Sequence, residues 1–139
     1  MLGEVIEAVG ELVGDSVGSA IAEPWNRRRR RRLQARGRIH AGLRVVEGSL
    51  PGLSSRWTHG RWAVDAGRLA RHSTLVHVVR LVGPPRTPSF RESFAVDPDC
   101  AVFRGMTGQG EVEIAVLRDQ VDWFLDRLDV VRGELPTVP

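Results

Sequence analysis

The sequence contains no lysine and no tyrosine, and it has a single cysteine, Cys100. One cysteine excludes an internal disulfide, and a solitary cysteine reads as a small buried hydrophobe. Acids are scarce in the middle of the chain. Between Arg27 and Arg91 sixteen arginines stand against two acids, Glu47 and Asp65. Bases are missing from the start, where residues 1–23 hold Glu4, Glu7, Glu11, Asp15 and Glu23. A secretory signal begins with a positive region, so an acidic beginning predicts none. No stretch reaches the ~18 apolar residues of a membrane helix. In the N-terminal segment Glu7, Glu11 and Asp15 would fall near mid-bilayer. There is no glycine-rich phosphate loop, no nucleophile elbow and no Cys–His pairing. These gaps predict a protein that is not an enzyme and uses no cofactor.

What is present is sorted charge. After the acidic start come six consecutive arginines, Arg27 to Arg32, and from Glu92 onward ten acids stand against four arginines. The use of arginine alone among the bases fits codon usage in a GC-rich genome, so its abundance carries little weight. Its placement does carry weight, because composition bias does not sort charges. The 139 residues suit one domain plus an appendage.

Residues 2–22 follow a helical period. Leu2, Val5, Ile6, Val9, Leu12, Val13, Val17 and Ala20 fall in one sector, and Glu4, Glu7, Glu11 and Asp15 fall opposite. Gly10, Gly14 and Gly18 line one flank, where small residues four apart admit another helix. Pro24 predicts a stop near Ala22. Such a face must be buried on its own domain, on another copy or on a bilayer. Trp25 beside the arginine run suits a membrane interface. The run also invites a nucleic-acid reading, but no interleaved aromatics or RNA-binding sheet motif support one.

From Arg38 the period becomes two. Ile39–Val46 reads as a first strand, Trp57–Val64 as a second and Arg68–His72 as a third, the last two joined by an Asp65-Ala66-Gly67 turn. Leu75–Val82 reads as a fourth strand and Ser89–Val96 as a fifth. Cys100–Met106 and Glu111–Leu117 flank a hairpin at Thr107–Gly110. Glu111 and Glu113 are expected to point to water. A closing helix is predicted with Asp119 as N-cap, an apolar stripe of Val121, Phe124, Leu125 and Leu128, and an end at Gly133.

The expected fold is α+β. It has an N-terminal amphipathic helix (1–24), an arginine-rich linker (25–37), a β-rich domain with C-terminal helix (38–132) and a tail (133–139). Six or seven antiparallel strands form a curved sheet or barrel of pleckstrin-homology-like order, capped by the last helix. His40, His59, His72 and His77 lack partners at metal-ligand spacing, so no metal site is expected.

Several features together resemble an uncharacterised actinobacterial family, a domain of unknown function. They are Gly37-Arg38-Ile39, Leu43-Arg44, Trp62 with Gly67, GEVEIAV (110–116) and WFLDRLD (123–129). Members of that family carry an N-terminal membrane segment, a basic stretch and a small β-rich C-terminal domain. Here an acidic amphipathic helix stands in place of the membrane segment. The resemblance implies no catalytic residues.

The functional expectation is a binding or adaptor domain tethered through its N-terminal helix and arginine segment to a membrane surface or a protein partner. The expected contact residues are Arg27, Arg28, Arg29, Arg30, Arg31, Arg32, Arg36, Arg38 and Arg44. The expected location is cytoplasmic, peripheral on the inner face of the cell membrane. The alternative is a self-assembling structural protein that pairs through residues 2–22, and a third reading is a weak nucleic-acid binder. No small-molecule substrate is indicated.

Overall fold

The computed structural model describes residues 19–133. The chain divides after Arg36 into two compact units.

In the first unit, helix α1 runs from Ser19 to Ala35, through Pro24 and all six consecutive arginines. The predicted stop near Ala22 and the predicted linker are therefore helical. Proline removes one backbone hydrogen bond and disfavours the helix just before it. Arginine is among the better helix formers, and a run of six carries the helix past that defect. The helix closes with the Arg36 N–H donating to the Leu33 carbonyl at 3.0 Å. The rest of the predicted amphipathic helix, residues 2–18, lies outside the described residues.

The second unit is mixed α and β, with a seven-stranded sheet and a C-terminal helix. Its strands are β1 (Arg38–Gly48), β2 (Thr58–Asp65), β3 (Arg68–Arg71), β4 (Thr74–Val82), β5 (Cys100–Thr107), β6 (Gly110–Leu117) and β7 (Val131–Gly133). Helix α2 spans Val121–Leu128. Strands β1 to β6 each pair antiparallel with the next, and β6 returns to β1, so six strands close into a ring. Closure removes the free edges that an open sheet would expose. Strand β7 runs parallel to the end of β4, beyond the reach of β3, which the antiparallel expectation missed.

Period-two alternation decides what fills the ring. Ile39, Leu43, Trp62, Leu69, Val76, Ile114 and Val116 are buried, and Phe124 and Leu128 of α2 join the same cluster. The Phe103 and Phe124 rings lie 5.6 Å apart at 41°. Each such side chain contributes roughly 1.5–3 kcal/mol by leaving water. Val46 and Val79 face out because the β1–β6 and β4–β5 registers slip beside them.

The β2–β3 turn and the end of α2 hold one another. Ala66 and Gly67 both take positive φ, 46° and 81°, as a tight hairpin turn requires. Their N–H groups donate to the carbonyls of Arg127 (3.1 Å) and Leu128 (2.6 Å), the otherwise orphaned end of α2. Arg127 Nε donates to the Val64 carbonyl at 2.9 Å.

Three local predictions fail for identifiable reasons. Residues 89–96 form a 3-10 turn at Glu92–Phe94, where a strand was expected. Ser89 and Glu92 make a reciprocal capping pair, the Ser89 N–H donating to Glu92 Oε1 and the Glu92 N–H donating to Ser89 Oγ. Asp119 is not the N-cap of α2. A 3-10 turn at Arg118–Gln120 precedes the helix and makes Gln120 its cap residue. The helix ends at Asp129, in the left-handed conformation at φ 50°, well before Gly133.

Candidate anion-binding site

Two charged groups lie on the outside of the ring. In the first, strand carboxylates and arginines neutralise each other. Arg44 Nη2 lies 2.6 Å from Glu113 Oε1 and 3.4 Å from Glu92 Oε2. Arg86 Nη1 lies 2.6 Å from Glu92 Oε1, and Arg86 Nη2 lies 2.8 Å from Glu113 Oε2. Arg86 is brought there by a two-way backbone bridge to Val102, which pins the β4–β5 loop to β5. The Arg86 guanidinium holds the Glu92 carboxyl at about 2, against the cost of its partial burial, with help from Ser89. Arg86 itself is pushed above its usual range, chiefly by Glu92. Arg44 also lies over the Trp57 ring, 4.9 Å from its centroid. Arg104 Nε pairs with Glu111 Oε1 at 2.7 Å.

One expectation is overturned here. Glu111 and Glu113 do not point to water, because opposite-charge neighbours across the strands take both out of solvent. Arg44, one of the expected contact residues, is held in this network with 30% of its side chain exposed. Its charge is already matched by two carboxylates and its face is covered by Trp57.

The second group is built differently. A trough of about 700 Å³ is lined by Arg38, His40, Gly60, Arg61, Ala63, Ala70, Arg71 and His72. Cross-strand register builds it. Arg38 faces Ala63 and His40 faces Arg61 across β1–β2, while Ala63 faces Ala70 across β2–β3. Two alanine methyls therefore form a shallow floor between charged walls. The Arg71 guanidinium lies against Gly60, in the space that a β-carbon there would take. His72 sits at the β3–β4 turn with φ 53°. Among the described residues no carboxylate lines the trough, and Arg38, Arg61 and Arg71 pair with no acid.

A smaller hollow of about 230 Å³ adjoins it through His40 and reaches Cys100. Burial pushes the Cys100 thiol up to about 12, and Asp97 and Asp99 add to the shift. That thiol is no nucleophile at neutral pH.

Of the expected contact residues, Arg38 lines the trough and Arg44 belongs to the ion network. Arg27 to Arg32 lie on α1, and Arg36 follows it. At 100° per residue six consecutive side chains spread around the whole helix, so they cannot share one face. Sequence reasoning placed Arg61 among the basic residues. It found no metal-ligand spacing at His40 and His72 and gave Arg71 no role. The signal that joins them is the register fixed by the Asp65-Ala66-Gly67 turn, which sets Ala63 opposite Ala70. No metal-binding cluster occurs among the described residues. No helix among them is long and apolar enough to cross a membrane.

No family model, no curated protein and no solved structure matches this chain.

Proposed function

We propose that this protein is a non-enzymatic adaptor domain that docks on an anionic membrane surface. Its N-terminal helix and arginine segment serve as tether and the β-rich unit as recognition module. In this reading it acts in the cytoplasm, on the inner face of the membrane. It belongs to the uncharacterised actinobacterial family it resembles, and its helix-plugged ring is related in architecture to the pleckstrin-homology-like barrel, an analogy that carries no function by itself.

The observation that supports this best is the trough, which gathers Arg38, Arg61 and Arg71 with no carboxylate among the described residues of its lining. Guanidinium groups that meet no acid among the described residues repel one another, and an incoming anion relieves that repulsion. A second observation favours lipid over protein as the partner. Phe90 and Phe94 are 83% and 85% exposed on the β4–β5 loop. Their rings meet edge to face at 6.0 Å, with exposed Arg91 between them in sequence. The Glu92 network fixes this loop, so the aromatic pair is presented without further ordering.

Flotation of the full chain on phosphatidylglycerol vesicles and on neutral phosphatidylcholine vesicles tests the reading. Association with the anionic vesicles alone is expected, weakened by Arg38→Gln/Arg61→Gln and by Phe90→Ala/Phe94→Ala. Equal, negligible flotation on both vesicle types would sink it and leave a protein partner. The self-assembly alternative rests on residues 2–22, which lie largely outside the described residues. A monomer at low and high salt in sedimentation would exclude it.

A further inference from the structure

The trough has features that a merely basic surface would not need. Elsewhere on the same ring, arginines beside strand carboxylates are neutralised, as Arg44, Arg86 and Arg104 are. Around the trough the neighbouring positions are Gly60, Ala63 and Ala70, which carry neither charge nor bulk. Cross-strand pairing puts Arg38 and Arg61 on adjacent rows of one face, with the alanine floor beside them. Arg71, at the end of β3, completes the lining beside Gly60. Small residues therefore keep the space open, and three arginines are among the residues that line it.

Charge and donor geometry select the ligand. A single carboxylate offers one negative charge and two oxygens, which satisfies one guanidinium fork. A phosphate monoester carries about −1.5 to −2 charge at neutral pH and three strong acceptor oxygens. It can engage several forks at once. The volume of about 700 Å³ exceeds what the phosphoryl group alone occupies, and the alanine floor offers an apolar surface for an attached organic group.

We propose that the trough between β1, β2 and β3 is a binding site for a phosphomonoester. Arg38, Arg61 and Arg71 grasp the phosphoryl oxygens, and the Ala63–Ala70 floor receives the organic part. This rests on the proposed role as a module for anionic surfaces and narrows it to one ligand chemistry. A lipid headgroup ending in a phosphomonoester and a soluble organic phosphate share that chemistry.

Titration calorimetry of the full chain with phenyl phosphate and with benzoate tests the site. The two probes share a ring and differ in the anion. Phenyl phosphate is expected to bind at least about tenfold more tightly than benzoate. Arg61→Gln should weaken it at least about tenfold, as loss of one bidentate pair implies. Ala70→Leu, which fills the floor without changing charge, should weaken it similarly. Arg118→Gln, which removes the same charge outside the trough, should leave it unchanged. Thermal melts of each variant confirm folding.

Vesicles separate the sources. Flotation on phosphatidic acid beyond phosphatidylglycerol, competed by phenyl phosphate, identifies a headgroup. Phenyl phosphate binding with no such preference identifies a soluble ligand. Equal binding of phenyl phosphate and benzoate, or a folded Arg61→Gln variant indistinguishable from the parent, would overturn the proposal. Equal flotation on both anionic lipids without phenyl phosphate binding would overturn this site while leaving the adaptor reading intact. Failure on every vesicle and every anion would overturn both.

Discussion

Arg86 and Glu92 meet in a two-pronged ion pair, Nη1 donating to Oε1 at 2.6 Å and Nη2 to Oε2 at 2.9 Å. This pair joins the β4–β5 loop to the outer face of the ring through Glu113 and Arg44. Because the folded Glu92 carboxyl titrates at about 2, below its ordinary 4.5, it stabilises the fold above the ordinary value. That contribution is lost as the pH falls from about 4.5 to about 2. Glu92→Gln should be less stable than the parent at pH 7, and the gap should close across that window. Urea midpoints measured against pH check this. Parallel profiles for the two proteins would contradict it.

Gly48 faces Gly110 at the open end of the β1–β6 pairing, at φ 86°. A β-carbon there would collide with the Gln109 carbonyl. Gly48→Ala should therefore destabilise the protein by at least about 1 kcal/mol, the left-handed penalty for a non-glycine residue. Gly108→Ala, in the adjoining hairpin with open space around it, should change stability by less than about 0.5 kcal/mol. Chemical denaturation of the two variants provides the comparison.

Gln120 is 2% exposed, and neither its amide oxygen nor its amide nitrogen has a partner among the described residues. It occupies the N-cap of α2 without making a cap bond. Burying an unmatched amide costs about 1–3 kcal/mol. Gln120→Leu should raise the thermal midpoint, and a lowered midpoint would mean that the amide is satisfied.

Cys100 is buried, and its thiol is pushed up to about 12. At pH 8 alkylation of the native protein should be at least about a hundredfold slower than of the urea-unfolded chain, where the thiol returns toward ~8.5. Comparable rates in the two states would count against burial of this side chain.

Much of the fold was legible because period-two alternation and turn chemistry are local. Strands β1 to β6, the Asp65-Ala66-Gly67 turn, the Thr107–Gly110 hairpin and the α2 stripe all follow from neighbours in the chain. The misses are local rules read wrongly or overridden. Ser89–Val96 looked like a strand, yet its Ser-x-x-Glu spacing forms a capping pair. Asp119 looked like a cap, yet an intervening 3-10 turn moved the helix start to Val121. The arginine run looked like a linker because its charge was read before its helix propensity.

The site divides along the same line. The sequence by itself determined that basic residues crowd the chain from Arg27 to Arg91, and that few acids accompany them there. It also determined which strand positions face outward, since side chains alternate along a strand. Only the tertiary structure decided which charges survive. Residues 69 positions apart, Arg44 and Glu113, are brought together on neighbouring strands and neutralise each other. Arg38, Arg61 and Arg71 line one trough with alanine and glycine and meet no acid among the described residues. Salt screens exposed charges that lie more than about 10 Å apart, and which charges come closer is set by which strands close the ring.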